Sequence, residues 1–412
     1  MNSLMNLQKN KILTCLMASS ILSGCIEVAD DDDNVIIGSV PCGPEHAVAY
    51  TAPILGDDFI AAVHVAAYGD GSNIELIEGG SISHSELLAT VDTDYAIAGR
   101  GGYLYYLGRD SIDTLQKFYY TSPEIGLYQT ANEQGYTIRN AGQDSSPNPK
   151  MIGFINNSTA ILPRYAENTA WVVNLDAQTE EEFKICELDL SAYAVQVSDD
   201  PETEADETTI YPPNMERVNI NENYAAITLQ RLTGYTPVEP AYVAIFDLNT
   251  WQEVDTNIDS DDLKGIKLNL KNPQSSSIHG NKLYLSSLIY ADNSGGIEEV
   301  DLSTLSSNTI NTESGYWGVE VTENGNIYAI SYNGWKSNDL VQINGSGSTA
   351  FGGNTGKHLT TLASRNNQLW VGVGGSDSDQ PNLNVYDTAD NTSIDSINGL
   401  IRNPTSITFI EK

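Results

Sequence analysis

The sequence predicts an all-β fold in which one antiparallel unit recurs along the chain. Three observations point to it. No stretch of useful length beyond the N-terminal region shows helical periodicity, and short alternating apolar segments recur throughout. The composition favours strands and turns, with 34 Gly and 22 Tyr against 5 Met in 412 residues. At 40% hydrophobic residues, the chain has enough apolar material for a packed core.

Residues 1–24 are predicted to be a secretory signal peptide. Lys9 and Lys11 precede an apolar run from Ile12 to Ile21, which is too short to span a bilayer as a stable helix. The run is followed by Leu22-Ser23-Gly24-Cys25, which resembles the lipobox of bacterial lipoproteins. The resemblance implies cleavage before Cys25 and transfer of a diacylglyceryl group to its thiol. The alternative is an ordinary cleaved signal followed by a chance cysteine.

The residues after Cys25 predict a location and a tether. Ile26 follows the cysteine, and by resemblance to proteobacterial sorting this favours the outer membrane over the inner one. The protein is thus expected to be anchored to the outer membrane through its N-terminal lipid, on the periplasmic or the surface side. Residues 25–41 include four consecutive Asp from Asp30, which is typical of a solvated, flexible linker. The folded domain is predicted over residues 42–412.

The charge balance excludes two classes of partner. Lys and Arg number 20 and Asp and Glu 55, so the formal net charge is -35. Binding to nucleic acid requires clusters of Lys and Arg that neutralise phosphates, and this chain lacks them. Electrostatic docking on an anionic membrane is disfavoured for the same reason.

Cysteine usage predicts one disulfide. Cys15 leaves with the signal and Cys25 is expected to be lipidated, so Cys42 and Cys186 remain. In an oxidising compartment two such cysteines are expected to pair, and the bond would pin the N-terminal segment to the domain. Two separate buried thiols are the alternative.

The recurring unit is a strand, a tight polar turn, an aromatic-rich second strand, a variable loop and a third strand. Its clearest copy begins with strand 318–322, continues through the turn at 323–325 into strand 326–331, and ends with strand 339–343. The Asn-Gly pair in the turn is a strong hairpin signal, because both positions tolerate positive φ. Other second strands begin at Tyr103, Thr159, Tyr224, Leu283 and Leu369.

These copies make six units at spacings typical of propeller blades, and the chain ends supply a seventh. Residues 403–410 form a lone inner-strand pattern, while Phe59 to about Leu88 contains outer strands without an inner partner. Pairing the two closes a ring and removes the open sheet edges. The sequence therefore predicts a single seven-bladed β-propeller. Six or eight blades, or a β-helix, remain alternatives.

The lipobox and the blade pattern together resemble the lipid-anchored propeller lipoproteins of bacterial envelopes, some of which assist outer-membrane receptors in siderophore capture. The resemblance covers most of the chain, but its motifs are loose. The chain contains no sialidase Asp-box, WD dipeptide signature or quinone-cofactor repeat, so no catalytic residue is carried over. The resemblance to propeller lipoproteins implies a ligand-binding protein with an outer-membrane receptor as its partner.

The loops on one face of a propeller surround its channel and usually carry function. Guanidinium groups suit carboxylates, catecholates and phosphates, and aromatic faces suit ring stacking. On this face the blade pattern places the ends of second strands and the loops that lead into inner strands. The expected ligand-binding residues are Arg109, Arg164, Arg231, Arg402, Tyr165, Tyr235, Trp317 and Trp335. The same loops carry Lys150, Arg217, His358, Tyr211, Tyr290 and Tyr316. The alternative is that each Arg pairs with one of the many acids.

These features favour a non-enzymatic envelope lipoprotein that binds a small anionic or aromatic ligand, or a receptor. Two alternatives stay open: a propeller hydrolase or lyase acting on a lactone or acidic sugar, with His358 at the channel, and a protein-interaction scaffold. No cofactor is expected. The acidic loops 199–202, 259–262 and 377–379 leave structural calcium as a weaker alternative to solvated acid, because none matches a known calcium-loop template.

Overall fold

The computed structural model of the protein describes residues 40–54, 56–122, 124–130, 135–198, 208–256, 262–376 and 380–412. The signal peptide, Cys25 and residues 26–39 of the tether lie outside these ranges and stay predictions. Within the described ranges, no helix is both long and apolar enough to cross a membrane.

Nearly all of the regular secondary structure in the described chain is β-strand, and the strands form seven blades of a propeller. The first half contains β1 (Phe59–Ala67), β2 (Gly71–Glu78), β3 (Ser81–Thr90), β4 (Tyr95–Arg100), β5 (Tyr103–Gly108), β6 (Thr114–Ser122), β7 (Gly126–Gln129), β8 (Tyr136–Thr137), β9 (Gly153–Phe154), β10 (Thr159–Leu162), β11 (Thr169–Asn174), β12 (Lys184–Asp189), β13 (Val195–Ser198) and β14 (Thr208–Tyr211). One short helix, α1 (Glu180–Phe183), precedes β12.

The second half continues the same pattern. It contains β15 (Met215–Ile220), β16 (Tyr224–Leu229), β17 (Tyr242–Asp247), β18 (Ile266–Lys267), β19 (Pro273–His279), β20 (Lys282–Ile289), β21 (Ser294–Asp301), β22 (Ser306–Asn311), β23 (Tyr316–Val321), β24 (Ile327–Tyr332), β25 (Asn338–Asn344), β26 (Gly347–Ala350), β27 (Leu359–Arg365), β28 (Gln368–Val373), β29 (Asn382–Asp387), β30 (Thr392–Asn398) and β31 (Asn403–Glu411).

Each blade is an antiparallel sheet of four consecutive strands, apart from blade 1, which combines β31 with β1 to β3. Blade 2 contains β4 to β7, with β8 added beside β6, and blade 3 contains β9 to β12. Blades 4 to 7 begin at β15, β19, β23 and β27. The hairpin of β13 and β14 lies between blades 3 and 4 in sequence. The inner strands of blades 1 to 7 are therefore β31, β4, β9, β15, β19, β23 and β27.

The predicted ring closure is confirmed. β31 pairs antiparallel with β1 from Phe59 opposite Glu411 to Ala66 opposite Asn403. The last strand of the chain thus completes the first blade as its inner strand, and β1 becomes interior to a four-stranded sheet. This pairing removes the exposed strand edges that an open array would present. The alternatives of six or eight blades and of a β-helix are wrong.

The residues in the turns explain why the blade pattern can be recognised in the amino-acid sequence. In blade 6 the turn between β23 and β24 contains Gly325 at φ +82°, as the Asn-Gly signal requires. At the end of β21, Asp301 Oδ1 accepts a hydrogen bond of 2.8 Å from Ser303 N, an Asx turn that leads into the outer strand β22. These contacts lie within a few residues of each other, so the sequence alone specifies them.

The hydrophobic core lies between neighbouring blades. Between blades 2 and 3, for example, Tyr105 and Leu107 of β5 pack in one buried cluster with Leu162, Trp171 and Val173 of β10 and β11. Further clusters join other adjacent blades in the same way. Because each sheet buries both faces, the middle strands have nearly continuous apolar runs, such as the buried β16 and β17.

The predicted disulfide is confirmed: Cys42 is bonded to Cys186 of β12, across a sequence separation of 144 residues. Backbone hydrogen bonds extend the attachment, since Cys42 N donates to Glu187 O (3.0 Å) and Glu187 N donates to Val40 O (2.8 Å). The N-terminal segment is therefore fixed to the outer edge of blade 3.

From the disulfide, residues 43–54 and 56–58, which we name the strap, run to β1. The strap follows the ends of inner strands: Thr51 N donates to Ile155 O (2.9 Å), and the Arg100 guanidinium donates to Thr51 O. Further along, Arg365 Nη2 donates to Gly56 O (3.1 Å). The strap therefore lies on the face of the propeller where the inner strands end.

Candidate functional site

A cavity of about 740 Å³ lies at the centre of the ring. All seven inner strands contribute to its wall, most of them with residues at or just before their start, and β23 with residues as far as Glu320. Loops from the same face complete the wall. We name this open end, where the inner strands begin, the mouth. It is the end opposite the strap.

Four of the eight predicted ligand-binding residues line this cavity, together with two further cations. The residues are Arg109, Tyr165, Tyr235 and Trp317, with Lys150 and Arg217. They come from blades 2, 3, 4 and 6, so residues far apart in sequence meet at one mouth. The blade pattern predicted this position for loop residues after second strands and before inner strands, and the structure places Arg217 and Trp317 within the first three residues of β15 and β23.

Arg164 lies inside the blade instead. Its side chain is fully buried, Nη1 donates to Thr169 Oγ1 (3.0 Å) and Nη2 donates to Gln143 Oε1 (2.9 Å). The guanidinium also stacks on the Trp171 ring at 4.5 Å. Burial lowers the pKa of this group. Arg164 therefore stabilises blade 3, and its donors are not directed at the cavity.

Arg231 and Arg402 are also held by the protein. The backbone of Arg231 is left-handed (φ +53°), and its guanidinium donates to Tyr193 O (3.0 Å) and Pro240 O (3.2 Å). Arg402 Nε lies 3.1 Å from Asp70 Oδ2. The expected convergence of Arg109, Arg164 and Arg231 is thus not seen, because only Arg109 reaches the cavity wall. The alternative in which each arginine pairs with an acid fits Arg402 and Arg109, whose guanidinium groups lie beside Asp70 and Asp94, whereas Arg164 and Arg231 bond neutral acceptors.

Trp335 and His358 lie away from the cavity wall. Trp335 is 82% exposed, and its ring is 6.4 Å from the His358 ring. His358 Nδ1 lies 3.4 Å from Gly375 O, and burial lowers the pKa of the imidazole. Trp317 and Trp335 therefore do not form one platform, although they belong to the same blade.

Lys150 is a cation without a carboxylate partner. Its Nζ lies 4.3 Å from the centroid of the Tyr165 ring. Among the described residues, no carboxylate oxygen lies within 4.0 Å of this nitrogen. Burial lowers the Lys150 pKa, and Arg109 and Arg217 lower it further, while Glu216 and Asp94 raise it. Lys150 therefore stands in a local field of three cations and two acids.

The two neighbouring arginines retain donor capacity. Arg109 Nε lies 3.0 Å from Asp94 Oδ1, but this buried nitrogen makes no hydrogen bond within the described part of the chain. Arg217 Nη2 donates to Gln274 O (2.7 Å) and is 3.5 Å from Glu216 Oε1. Burial lowers the Arg217 pKa. Each guanidinium has five N–H donors, and these contacts use only a few of them.

Aromatic side chains surround the mouth. Tyr290 lies between two rings, with centroids 6.1 Å from Trp317 and 5.4 Å from Tyr332, both in edge-to-face geometry. Trp317 is 40% exposed and Tyr235 is 99% exposed, so both present ring surface to solvent. Tyr165 is fixed by a 2.8 Å hydrogen bond from its hydroxyl to Gln230 Oε1. The mouth therefore offers aromatic faces beside a basic wall.

Glu320 of β23 is a cavity-lining carboxylate on the opposite side of the ring. Ser364 Oγ of β27 donates to its Oε1 at 2.7 Å. Burial raises the pKa of Glu320 to about 7, against the opposing effect of hydrogen bonds from Ser364 and Ser277. Among the described residues, no Lys, Arg or His nitrogen lies within 4.0 Å of its oxygens. The carboxylate is therefore held by hydroxyl groups without a cation.

Sequence reasoning missed Glu320, Asp94 and Glu216. A signal existed for Glu320, because it is the one charged residue in the alternation from Gly318 to Val321. The alternation shows that Glu320 faces away from Val319 and Val321. It does not show whether that side is a neighbouring blade or the channel, so the pattern alone gave no role.

Comparisons with known proteins support the fold class defined above, a seven-bladed β-propeller, and go no further. No family model matches the chain, and no curated protein matches it. A protein of unknown function from Desulfotomaculum acetoxidans DSM 771 is similar in structure, with a TM-score of 0.51, 13% identity, and coverage of 86% of this chain and 99% of that one. AztD from Citrobacter koseri in its apo form gives a TM-score of 0.48 and 11% identity, over 85% of this chain and 98% of that one.

The described residues contain no group of three or more His, Cys, Asp or Glu side chains that could hold a metal ion. The acidic loops considered for calcium fall outside the described residues, apart from Asp262. Structural calcium therefore stays a prediction without a test.

Proposed function

We propose that this protein is a non-enzymatic cell-envelope lipoprotein whose propeller mouth binds a small anionic ligand with an aromatic part. The observation that carries the proposal is Lys150, a partly buried ammonium in the cavity wall that has no carboxylate within ion-pair distance among the described residues. In a chain with a formal net charge of -35, acids are abundant, so an unpaired cation in a cavity is informative.

An anion at this wall would satisfy three cations at once. The ammonium of Lys150 would supply charge, and Arg109 and Arg217 would supply the planar N–H pairs that suit carboxylates and catecholates. Partial burial strengthens such interactions, because the local dielectric is below that of water. The ring faces of Trp317 and Tyr290 lie nearby and suit stacking of an aromatic group.

The envelope location rests on the sequence. The sequence from Leu22 to Cys25 supports lipidation of Cys25, and Ile26 supports the outer membrane. The disulfide between Cys42 and Cys186 is consistent with an oxidising compartment. By resemblance to propeller lipoproteins, a ferric siderophore is the ligand class to test first, with an outer-membrane receptor as the partner that would exchange it.

The binding test uses the full-length chain in detergent and isothermal titration calorimetry with 2,3-dihydroxybenzoate and its ferric complex. Lys150→Met is expected to weaken binding at least tenfold, since a hydrogen bond to a charged group contributes about 1.5–3 kcal/mol. The matched control is Lys117→Met, because Lys117 Nζ also lies over a tyrosine ring, 4.2 Å from the centroid of Tyr103, and bonds Asp176 instead of lining the cavity.

Other outcomes reassign the function. Equal losses in both lysine variants would contradict a site at the mouth. Consumption of galacturonate or of a lactone would favour the hydrolase or lyase alternative. Failure of both probes to bind, together with co-purification of one envelope protein, would favour the interaction scaffold.

The anchor is tested separately. Metabolic labelling with an alkyne fatty acid in a bacterial host is expected to label the chain, and Cys25→Ser is expected to abolish the label. A label that survives this substitution would contradict lipidation at Cys25.

A further inference from the structure

The cavity wall contains two partly buried groups of opposite charge, and neither makes an ion pair with another described residue. Lys150 has no carboxylate within ion-pair distance among the described residues, and Glu320 has no cation. Both residues line the same cavity, yet they do not pair with each other. A buried charge without a counter-charge is destabilising, so a protein that keeps two of them in one cavity has a reason to do so.

The two charges lie at different depths. Lys150 belongs to the segment before β9 and lies over the ring of Tyr165, which follows the end of β10 at the mouth. Glu320 is the penultimate residue of its strand, and its partner Ser364 precedes Arg365, whose guanidinium bonds the strap at Gly56 O. Glu320 therefore lies towards the strap.

The depth follows from strand geometry. Trp317, at the mouth, and Glu320 are three residues apart on β23, which corresponds to about 10 Å of strand at about 3.3 Å per residue. The cavity is therefore basic at its mouth and carries an isolated carboxylate about 10 Å further in.

We infer that the ligand is an elongated zwitterion, whose anionic group binds at Lys150 and whose basic amine binds at Glu320. The inference rests on the proposed function and deepens it, because it adds a second charged group to the ligand and fixes its orientation. The reverse orientation would place an anion against Glu320 and an ammonium at the mouth, where Lys150, Arg109 and Arg217 outnumber Asp94 and Glu216. The depth alone requires at least about 10 Å between the two charges of the ligand, and a peptide of three residues in extended conformation is the shortest that reaches it.

The surroundings of Glu320 suit an amine. Ser364 of β27 and Ser277 of β19 hold the carboxylate through hydroxyl donors, and Glu323 is the charged neighbour that acts on it. Burial raises its pKa to about 7, so near neutral pH the side chain is ionised in only part of the molecules. An ammonium group would favour the ionised form, and binding would then release a proton.

Three peptides of the same length separate the two charges. They are Gly-Gly-Tyr with free termini, its N-acetyl form without the ammonium group, and its C-terminal amide without the carboxylate. Calorimetry on the full-length chain in detergent is expected to show at least tenfold tighter binding of the free peptide than of either blocked form. Glu320→Gln is expected to remove the advantage over the N-acetyl peptide, and Lys150→Met the advantage over the amide.

A second measurement needs no variant. At pH 7, titrations of the wild-type chain in two buffers of different ionisation enthalpy are expected to show proton release with the free peptide and none with the N-acetyl form. If the free and N-acetyl peptides bind equally and neither releases a proton, the zwitterion inference is overturned, while anion binding at Lys150 stands. If no peptide binds and 2,3-dihydroxybenzoate also fails, the proposed function falls as well.

Discussion

Lys150 and Lys117 hold their ammonium groups over tyrosine rings at nearly the same distance, 4.3 Å from Tyr165 and 4.2 Å from Tyr103. Lys117 also donates to Leu175 O (3.0 Å) and to Asp176 Oδ1 (2.9 Å), so its hydrogen-bonding needs are met inside the fold. Lys150 has no such acid within the described part of the chain. The cation–π contact therefore does not identify a site by itself, whereas the lack of an ion pair does.

The arginines show the same contrast. Arg164 and Arg109 both close the second strand of a blade, yet Arg164 is fully buried with two side-chain acceptors and a tryptophan ring, whereas Arg109 lines the cavity. Inside a blade the guanidinium is held by acceptors of the fold, whereas at the mouth it lines the cavity. Substitutions at paired positions test this distinction.

The largest effect is expected on stability. Arg164→Met removes a buried guanidinium, takes the donor from Thr169 Oγ1 and leaves Gln143 Oε1 with the Asn140 N–H alone, which costs about 3 kcal/mol. Arg109→Met is expected to cost less than about 1 kcal/mol, because its ion pair with Asp94 is partly exposed. Urea unfolding followed by tryptophan fluorescence measures both. Equal losses would erase the distinction between blade interior and mouth.

Glu320 gives the next largest effect, and it depends on pH. Its folded pKa of about 7 lies above the ordinary value of 4.5, so its contribution to stability is fully present below pH 4.5 and is lost as pH rises through 7. Between pH 5 and pH 8 the loss is about 2–3 kcal/mol.

The Glu320→Gln variant has no ionisable group at this position, so its stability lacks this contribution to the pH dependence. The free energy of unfolding of the variant, minus that of the wild type, is therefore expected to rise by the same amount between pH 5 and pH 8. Urea titrations at the two pH values measure it, and subtraction cancels the titration of the other carboxylates. A difference that is constant with pH would show that Glu320 is not a raised-pKa group.

A smaller effect is expected for ligand affinity at the other cations. Arg217→Gln removes a guanidinium of the basic wall and is expected to weaken 2,3-dihydroxybenzoate binding by about 1–2 kcal/mol, or roughly five- to thirtyfold. Arg402→Gln is the control, since Arg402 is engaged by Asp70 and Asn73 outside the cavity. Calorimetry at fixed salt compares the two, and a loss in the Arg402 variant alone would contradict the placement of the site.

The fold was predictable because its signals are local. Alternation, the turn at Gly325 and the Asx turn at Asp301 each involve a few neighbouring residues, and closure by β31 follows once the blades are counted. The site was predictable only in part. The blade pattern placed Lys150 and Arg217 at the mouth. It also placed Arg164 and Arg231 there, because a position at the end of a strand does not fix the direction of a long side chain. Hydrogen-bond acceptors supplied by other segments of the chain decide the direction of these two side chains.

The two exposed tryptophans of blade 6 provide the smallest test. Trp317 lines the cavity beside Tyr290, whereas Trp335 is more exposed and lies beside His358. Trp317→Ala is expected to weaken binding of 2,3-dihydroxybenzoate by about 1 kcal/mol, the contribution of one aromatic pair, and Trp335→Ala to leave it unchanged. Ligand-induced quenching of tryptophan fluorescence is expected to disappear in the first variant only. Because exposure alone would rank Trp335 as the better platform, a loss confined to Trp317 would show that position at the basic mouth, and not exposed ring area, determines which aromatic contacts the ligand.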